Sequence, residues 1–159
     1  MEVESFARPV GVRASVTVPA LARPVSNGRS APRVRAWAVP ATPREGRLAE
    51  AYARASTRRY DLVLDYAWEE VERYAFEVPK TTRMTTRIVS VPSSRRVEGP
   101  FGSFQMDTAI EANGLRATAR VQLRIARHRI AATDYAMFRA FLGQVDEALA
   151  QEIRLEALP

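Results

Sequence analysis

Five groups of side chains in this chain have types and spacings that could do chemistry. Glu69, Glu70, Glu72 and Glu77 crowd nine residues, and two carboxylates side by side are what acid/base hydrolysis of a glycosidic bond requires. Their neighbourhood reads as a turn followed by the wet face of a strand, where solvated carboxylates are ordinary. Asp61 and Asp65 lie on one strand face, but four residues at 3.3 Å each put them about 13 Å apart, too far to share a metal. His128, the single histidine, sits between Arg127 and Arg129, two cations that oppose a proton or a metal on its ring. Arg95-Arg96, beside Ser93 and Ser94 in an expected loop, could grip an anion. Arg116, Arg120 and Arg124 form a stripe on one strand face, the most nucleic-acid-like feature of the chain, yet no aromatic side chain interleaves them to stack bases. Cysteine is absent, which removes thiolate nucleophiles, disulfides and sulfur-ligated metals. Gly-rich phosphate loops, nucleophile elbows and metal-ligand spacings are missing too. The expectation is that there is no catalytic, cofactor or metal site, with Arg95, Arg96, Arg116, Arg120 and Arg124 as weak candidates for binding an anion or a partner.

Those arginines take their meaning from the elements that carry them. Asn113-Gly114 separates two alternating runs between Phe104 and Ile125, and predicts a two-residue hairpin turn of type I′, which needs positive φ at both central positions. This register sets Ala112 opposite Leu115, Ile110 opposite Ala117, Thr108 opposite Ala119, Met106 opposite Val121 and Phe104 opposite Leu123, which makes an apolar face. The other face pairs Glu111 with Arg116, Asp107 with Arg120 and Gln105 with Gln122, a charge ladder worth roughly 0.2–1 kcal/mol per pair. The ladder accounts for two arginines of the stripe without invoking a ligand.

Other segments fall into place by period. Arg44 to Ser56 is helix-competent but short and weakly amphipathic, so it needs tertiary support. Tyr60, Leu62, Leu64 and Tyr66 alternate against Asp61 and Asp65, predicting a strand over 60–66. Tyr74, Phe76 and Val78 form the inward face of a second strand ending at Pro79. Met84, Thr86 and Ile88, or Val89 and Val91 on the other phase, give a third that stops at Pro92. Ser93 to Gly102 reads as a loop. Thr133 is the expected N-cap of a helix over 133–150, with Asp134 in its first turn. Tyr135, Phe138, Leu142, Val145 and Leu149 form one stripe along that helix, widened by Phe141. Gly143 inside it costs about 1 kcal/mol relative to alanine, which close helix packing would explain. Ile153 and Leu155 suggest a last short strand.

At 159 residues the chain is about one domain long. Six of the ten prolines and a net charge of +4 fall within residues 1–43, which read as a weakly ordered Pro/Arg-rich tail with one candidate edge strand over Val10–Val18. Residues 44–159 carry only +2 and read as a single, mainly β domain, sandwich-like and antiparallel, ending in the helix. A nucleic-acid domain usually has a dense basic face, and here the excess sits in the tail. No run approaches the 18 apolar residues of a membrane span, and the opening Met1-Glu2-Val3-Glu4 lacks signal-peptide character, so no compartment is assigned.

Thr57-Arg58, the strand around Asp61-Leu62, the strand ends Val78-Pro79 and Val91-Pro92, Phe101-Gly102, and above all Asp134-Tyr135-Ala136-Met137-Phe138-Arg139 follow one another in a familiar order. Over about residues 52–157 the chain resembles the C-terminal accessory β domain of large bacterial transglutaminase-like proteins. The resemblance implies a β module ending in a helix and a protein partner or parent transglutaminase-like domain. In such proteins the catalytic residues lie in another domain, so no site residue is carried over. Two functions are expected from different classes. The first is a non-catalytic accessory or interaction module. The alternative is a small basic protein that holds nucleic acid or an anionic surface through its Arg-rich tail and the arginine strand face.

Overall fold

Alternation along the chain becomes an antiparallel, mainly β fold with a C-terminal helix. The computed structural model describes residues 22–25, 35–44, 46–78 and 85–158. The expected strand over Val10–Val18, the stop at Pro79 and the strand residue Met84 lie outside them. The elements are β1 (Arg23–Val25), β2 (Arg35–Pro40), α1 (Leu48–Tyr52), β3 (Leu62–Val63), β4 (Trp68–Glu77), β5 (Thr85–Ser90), β6 (Arg95–Gly99), β7 (Gly102–Ile110), β8 (Arg116–Ile125), β9 (Arg129–Ile130), α2 (Tyr135–Leu149) and β10 (Glu152–Leu158). They form one sheet in the order β4-β8-β7-β6, a second in the order β1-β2-β10-β5, and a ribbon of β3 and β9.

The β7–β8 register is the expected one, with Ile110 opposite Ala117, Met106 opposite Val121, Phe104 opposite Leu123 and Asp107 opposite Arg120. The turn differs. Glu111 and Arg116 close a four-residue loop, the Gly114 N–H donates to the Glu111 carbonyl at 2.8 Å, and Gly114 has φ +65°. Ala112 and Leu115 are therefore loop residues rather than a ladder pair. The longer loop is centred on the same point, so the register survives. It also frees the carbonyls of Gly114 and Leu115 to accept from Ile88 and Val78 at 2.7 and 2.9 Å, which ties the hairpin tip to β5 and to the end of β4.

One face of the first sheet, with Phe104, Met106, Val121, Leu123 and Ile125, is sealed by Tyr135, Phe138, Phe141, Leu142 and Val145 of α2. Phe101 meets Phe138 edge-on at 5.4 Å and 74°. Ile110 instead flanks a second cluster of Ala41, Val78, Ile88, Ala117 and Ile153, which joins the two sheets. Asp134, not Thr133, is the N-cap, and it makes no side-chain cap bond. A lead-in turn replaces that cap, since the Asp134 N–H already donates to the Ala131 carbonyl at 3.0 Å. A Cβ at Gly143 would meet nothing within 4 Å, so close packing does not account for that glycine. The marginal helix near residue 50 is held from outside: the Asp146 carboxylate accepts from the Leu48 and Ala49 N–H groups at 2.8 and 3.0 Å.

Pairing overrides composition in three places. Arg35–Pro40, inside the stretch whose composition marks it as a tail, is strand β2 because β10 pairs along its length, burying Ala38 and Val39. Arg95–Gly99, expected as loop, is strand β6 because Val97 sits opposite Phe104 on β7. The strand expected over 60–66 shrinks to Leu62–Val63, since its partner β9 is only two residues long. Leu62 and Leu64 are buried as the alternation predicts, but Tyr60 and Tyr66 are 83% and 67% exposed.

Candidate functional site

The sheet face away from α2 carries the arginine stripe, and each stripe residue has a neighbour on both sides because β8 lies between β4 and β7. Arg116 faces Glu77 and pairs with it at 3.7 Å, and with Glu111 at 3.0 Å. Arg124 sits between Glu69 and Ser103, but the Glu69 carboxylate accepts instead from Gln122 Nε2 at 2.8 Å. Arg120 sits between Asp107 and Arg73. The Asp107 carboxylate accepts from Gln105 Nε2 at 2.8 Å, and neither Arg73 nor Arg120 makes an ion pair among the described residues. Two like charges thus lie directly opposite each other, an arrangement that destabilises a sheet unless something compensates it. Next to them Ala75, Ala109 and Thr118 form the floor of a shallow depression of about 400 Å³.

Sequence reasoning found the β7 neighbours of the stripe and missed Arg73. The missed signal was phase: Trp68, Tyr74 and Phe76 share one parity, which sends Arg73 to the open face with Glu69, Val71, Ala75 and Glu77. The same parity corrects the reading of the four glutamates as solvated. Glu69 and Glu77 are exposed on the open face, whereas Glu70 and Glu72 are half-buried on the inner side of the edge strand. Glu70 lies 2.6 Å from Arg44 Nη2, too poorly aligned for a good hydrogen bond, and Arg44 Nη1 is buried without a partner among the described residues. Burial lowers the tendency of Arg44 to hold its proton, but Glu70 and Glu72 outweigh it and the guanidinium is held more firmly than usual. Burial, then a 2.8 Å hydrogen bond to Glu72, pushes the Tyr74 phenol well above its ordinary range. Trp68 borders this cluster, with Tyr52 at 5.0 Å and the exposed Tyr66 at 6.2 Å.

The other candidates stay apart. Arg95 lies opposite buried Met106 and Arg96 opposite exposed Gln105, so the two point to opposite faces of β6 and do not converge on one anion. Arg96 pairs with Glu98 at 3.0 Å. His128 is exposed, and its backbone carbonyl accepts from the Leu64 N–H. The Asp61 carboxylate accepts from Arg129 Nε at 2.9 Å and the Ala132 N–H at 3.1 Å, which together hold it below the usual carboxylate range. Among the described residues no three His, Cys, Asp or Glu side chains are grouped to hold a metal, and no helix is long and apolar enough to cross a membrane.

A family model described as a domain of unknown function with solved-structure structure (DUF3858) matches residues 38–155. No curated protein and no solved structure gives a match. The matched span begins within β2 and ends within β10, taking in both helices, the β3–β9 ribbon and every strand of the open-faced sheet, and so the chain belongs to the DUF3858 family.

Proposed function

We propose that this DUF3858 domain is a non-catalytic accessory module of a transglutaminase-like system, holding a protein partner on the open face of the β4-β8-β7-β6 sheet. The observation that carries the reading is the asymmetry of that sheet. One face is sealed by α2, and the other presents at its centre Arg73 and Arg120, neither of which makes an ion pair among the described residues. The residues behind the family resemblance are spent on the scaffold. Tyr135 is buried, its hydroxyl donates to the Ala55 carbonyl at 2.8 Å, and Arg58 lies over its ring at 5.4 Å. Phe138 and Phe141 close the core. A scaffold of this kind leaves its surface for recognition.

The test is to extend the reading frame upstream, search the adjacent genes for a transglutaminase-like core, and mix that core with this chain in a size-exclusion experiment. Co-elution is the expected result. Finding no such core overturns the transglutaminase assignment, and finding one that elutes separately overturns the accessory role.

A further inference from the structure

We infer that Arg73 and Arg120, at the centre of the open face, form a carboxylate-binding site for an acidic peptide segment of a protein partner, which deepens the reading just proposed and rests on it. Directly opposite residues on antiparallel strands have Cα atoms only about 4.5–5.5 Å apart, so both guanidinium forks reach a single carboxylate. Without a ligand the two arginines have one carboxylate beside them, that of Asp107 opposite Arg120, and it makes no ion pair with either. With a carboxylate between them, each arginine gains a charge-assisted partner. Thr118, two residues from Arg120 on the same face, adds a hydroxyl, and Ala75 and Ala109 keep the floor low enough for a segment to lie against the sheet.

The surroundings select the kind of anion. Carboxylates of Glu69, Glu77, Glu98 and Glu111 share this face around the centre, and Asp107 stands beside Arg120 itself. They repel a continuous polyanion, while a short acidic stretch touches only the middle. Among the described residues no aromatic side chain stands on this face for bases to stack on. The charge pattern therefore fits a few carboxylates on a peptide and opposes a nucleic-acid backbone.

The experiment titrates the full chain against fluorescein-labelled hexaglutamate, reading anisotropy in about 50 mM salt, where exposed charges are screened least. Saturable binding is expected. Arg73→Gln with Arg120→Gln should weaken it roughly tenfold or more, and Arg73→Lys with Arg120→Lys, which keeps the charge but loses the fork, should weaken it several-fold. Arg96→Gln should change nothing. No saturable binding, equal binding by the double glutamine variant, or tighter binding of a single-stranded oligonucleotide of equal charge would each overturn the site. Co-elution with a transglutaminase-like core that persists in the double glutamine variant would overturn the site and leave the accessory role standing.

Discussion

Replacing Phe138 by alanine probes the join on which the fold depends, the seam between α2 and the sealed face of the sheet. Phe138 is fully buried and lies in one cluster with Phe104, Met106, Val121 and Leu123, residues more than ten positions upstream on β7 and β8. Truncating a buried phenylalanine forfeits its transfer free energy and leaves a cavity, together about 3–5 kcal/mol. The edge-on contact with Phe101 puts this site in the upper part of that range, because such a pair contributes about 0.5–1.5 kcal/mol beyond its buried area. A domain of this size has about 5–15 kcal/mol in all, so the variant loses a large share of its stability. Urea unfolding followed by circular dichroism measures the loss, with Met137→Ala as the control. Met137 is the neighbouring helix residue and is 55% exposed, so it should change stability by no more than about 0.5 kcal/mol. Equal midpoints for the two variants would refute the packing argument.

Four further outcomes follow from particular contacts. Gly143→Ala should stabilise the protein by up to about 1 kcal/mol in the same urea assay, since the helix gains propensity and the new methyl meets nothing. Gly102→Ala should destabilise it by several kcal/mol, because a Cβ there would sit 1.8 Å from the Arg124 carbonyl oxygen; a stable, unshifted variant would show that the β7–β8 approach is wrong. Arg120→Glu exchanges repulsion from Arg73 for repulsion from Asp107 and should be nearly neutral, whereas in an Arg73→Ala background it should cost roughly 0.2–1 kcal/mol; identical effects in both backgrounds would show that the two arginines do not sense each other. The carboxyl of Asp61 is depressed by Arg129 and the Ala132 N–H, so its stabilisation is present above its unfolded value of about 3.9 and is lost as pH falls through the lower folded value. The stability gap between the parent chain and Asp61→Asn should accordingly close on acidification, and a gap constant from neutral pH to about pH 2 would contradict the assignment.

Local signals were legible and partner-dependent ones were not. The hairpin register and the α2 stripe follow from periodicity within one stretch of chain, and both stand in the fold. The strands β2 and β6 were invisible because neither has a strong apolar alternation of its own: β6 takes its ladder from the adjoining β7 across a tight turn, and β2 from β10, more than a hundred residues away. The arginine stripe was half legible for the same reason. Its β7 neighbours lie across a short loop, while its β4 neighbours, Arg73 among them, are some fifty residues away, and only the β4–β8 pairing puts Arg73 opposite Arg120. Glu70 and Glu72 misled because polar side chains read as outward-facing, and Arg44, which meets Glu70, comes from a segment that composition gave no reason to place there.

The position of β10 bears on how the chain acquires its structure over time. Glu152–Leu158 lies between β2 and β5 and supplies the ladder on both sides, so these two strands have no hydrogen-bonded contact with each other without it. Residues 35–40 have the three-residue β1 nearby on one side, but the ladder along their whole length comes from a strand more than a hundred positions later, whereas β7 and β8 zip across a four-residue loop. Contacts this distant in sequence are slow to form, because the entropy of closing so long a loop is lost before any pairing energy returns. By this argument the hairpin and the helix that covers it belong to the local, rapidly closing part of the fold, and the β2–β10–β5 ladder carries its longest loop closure.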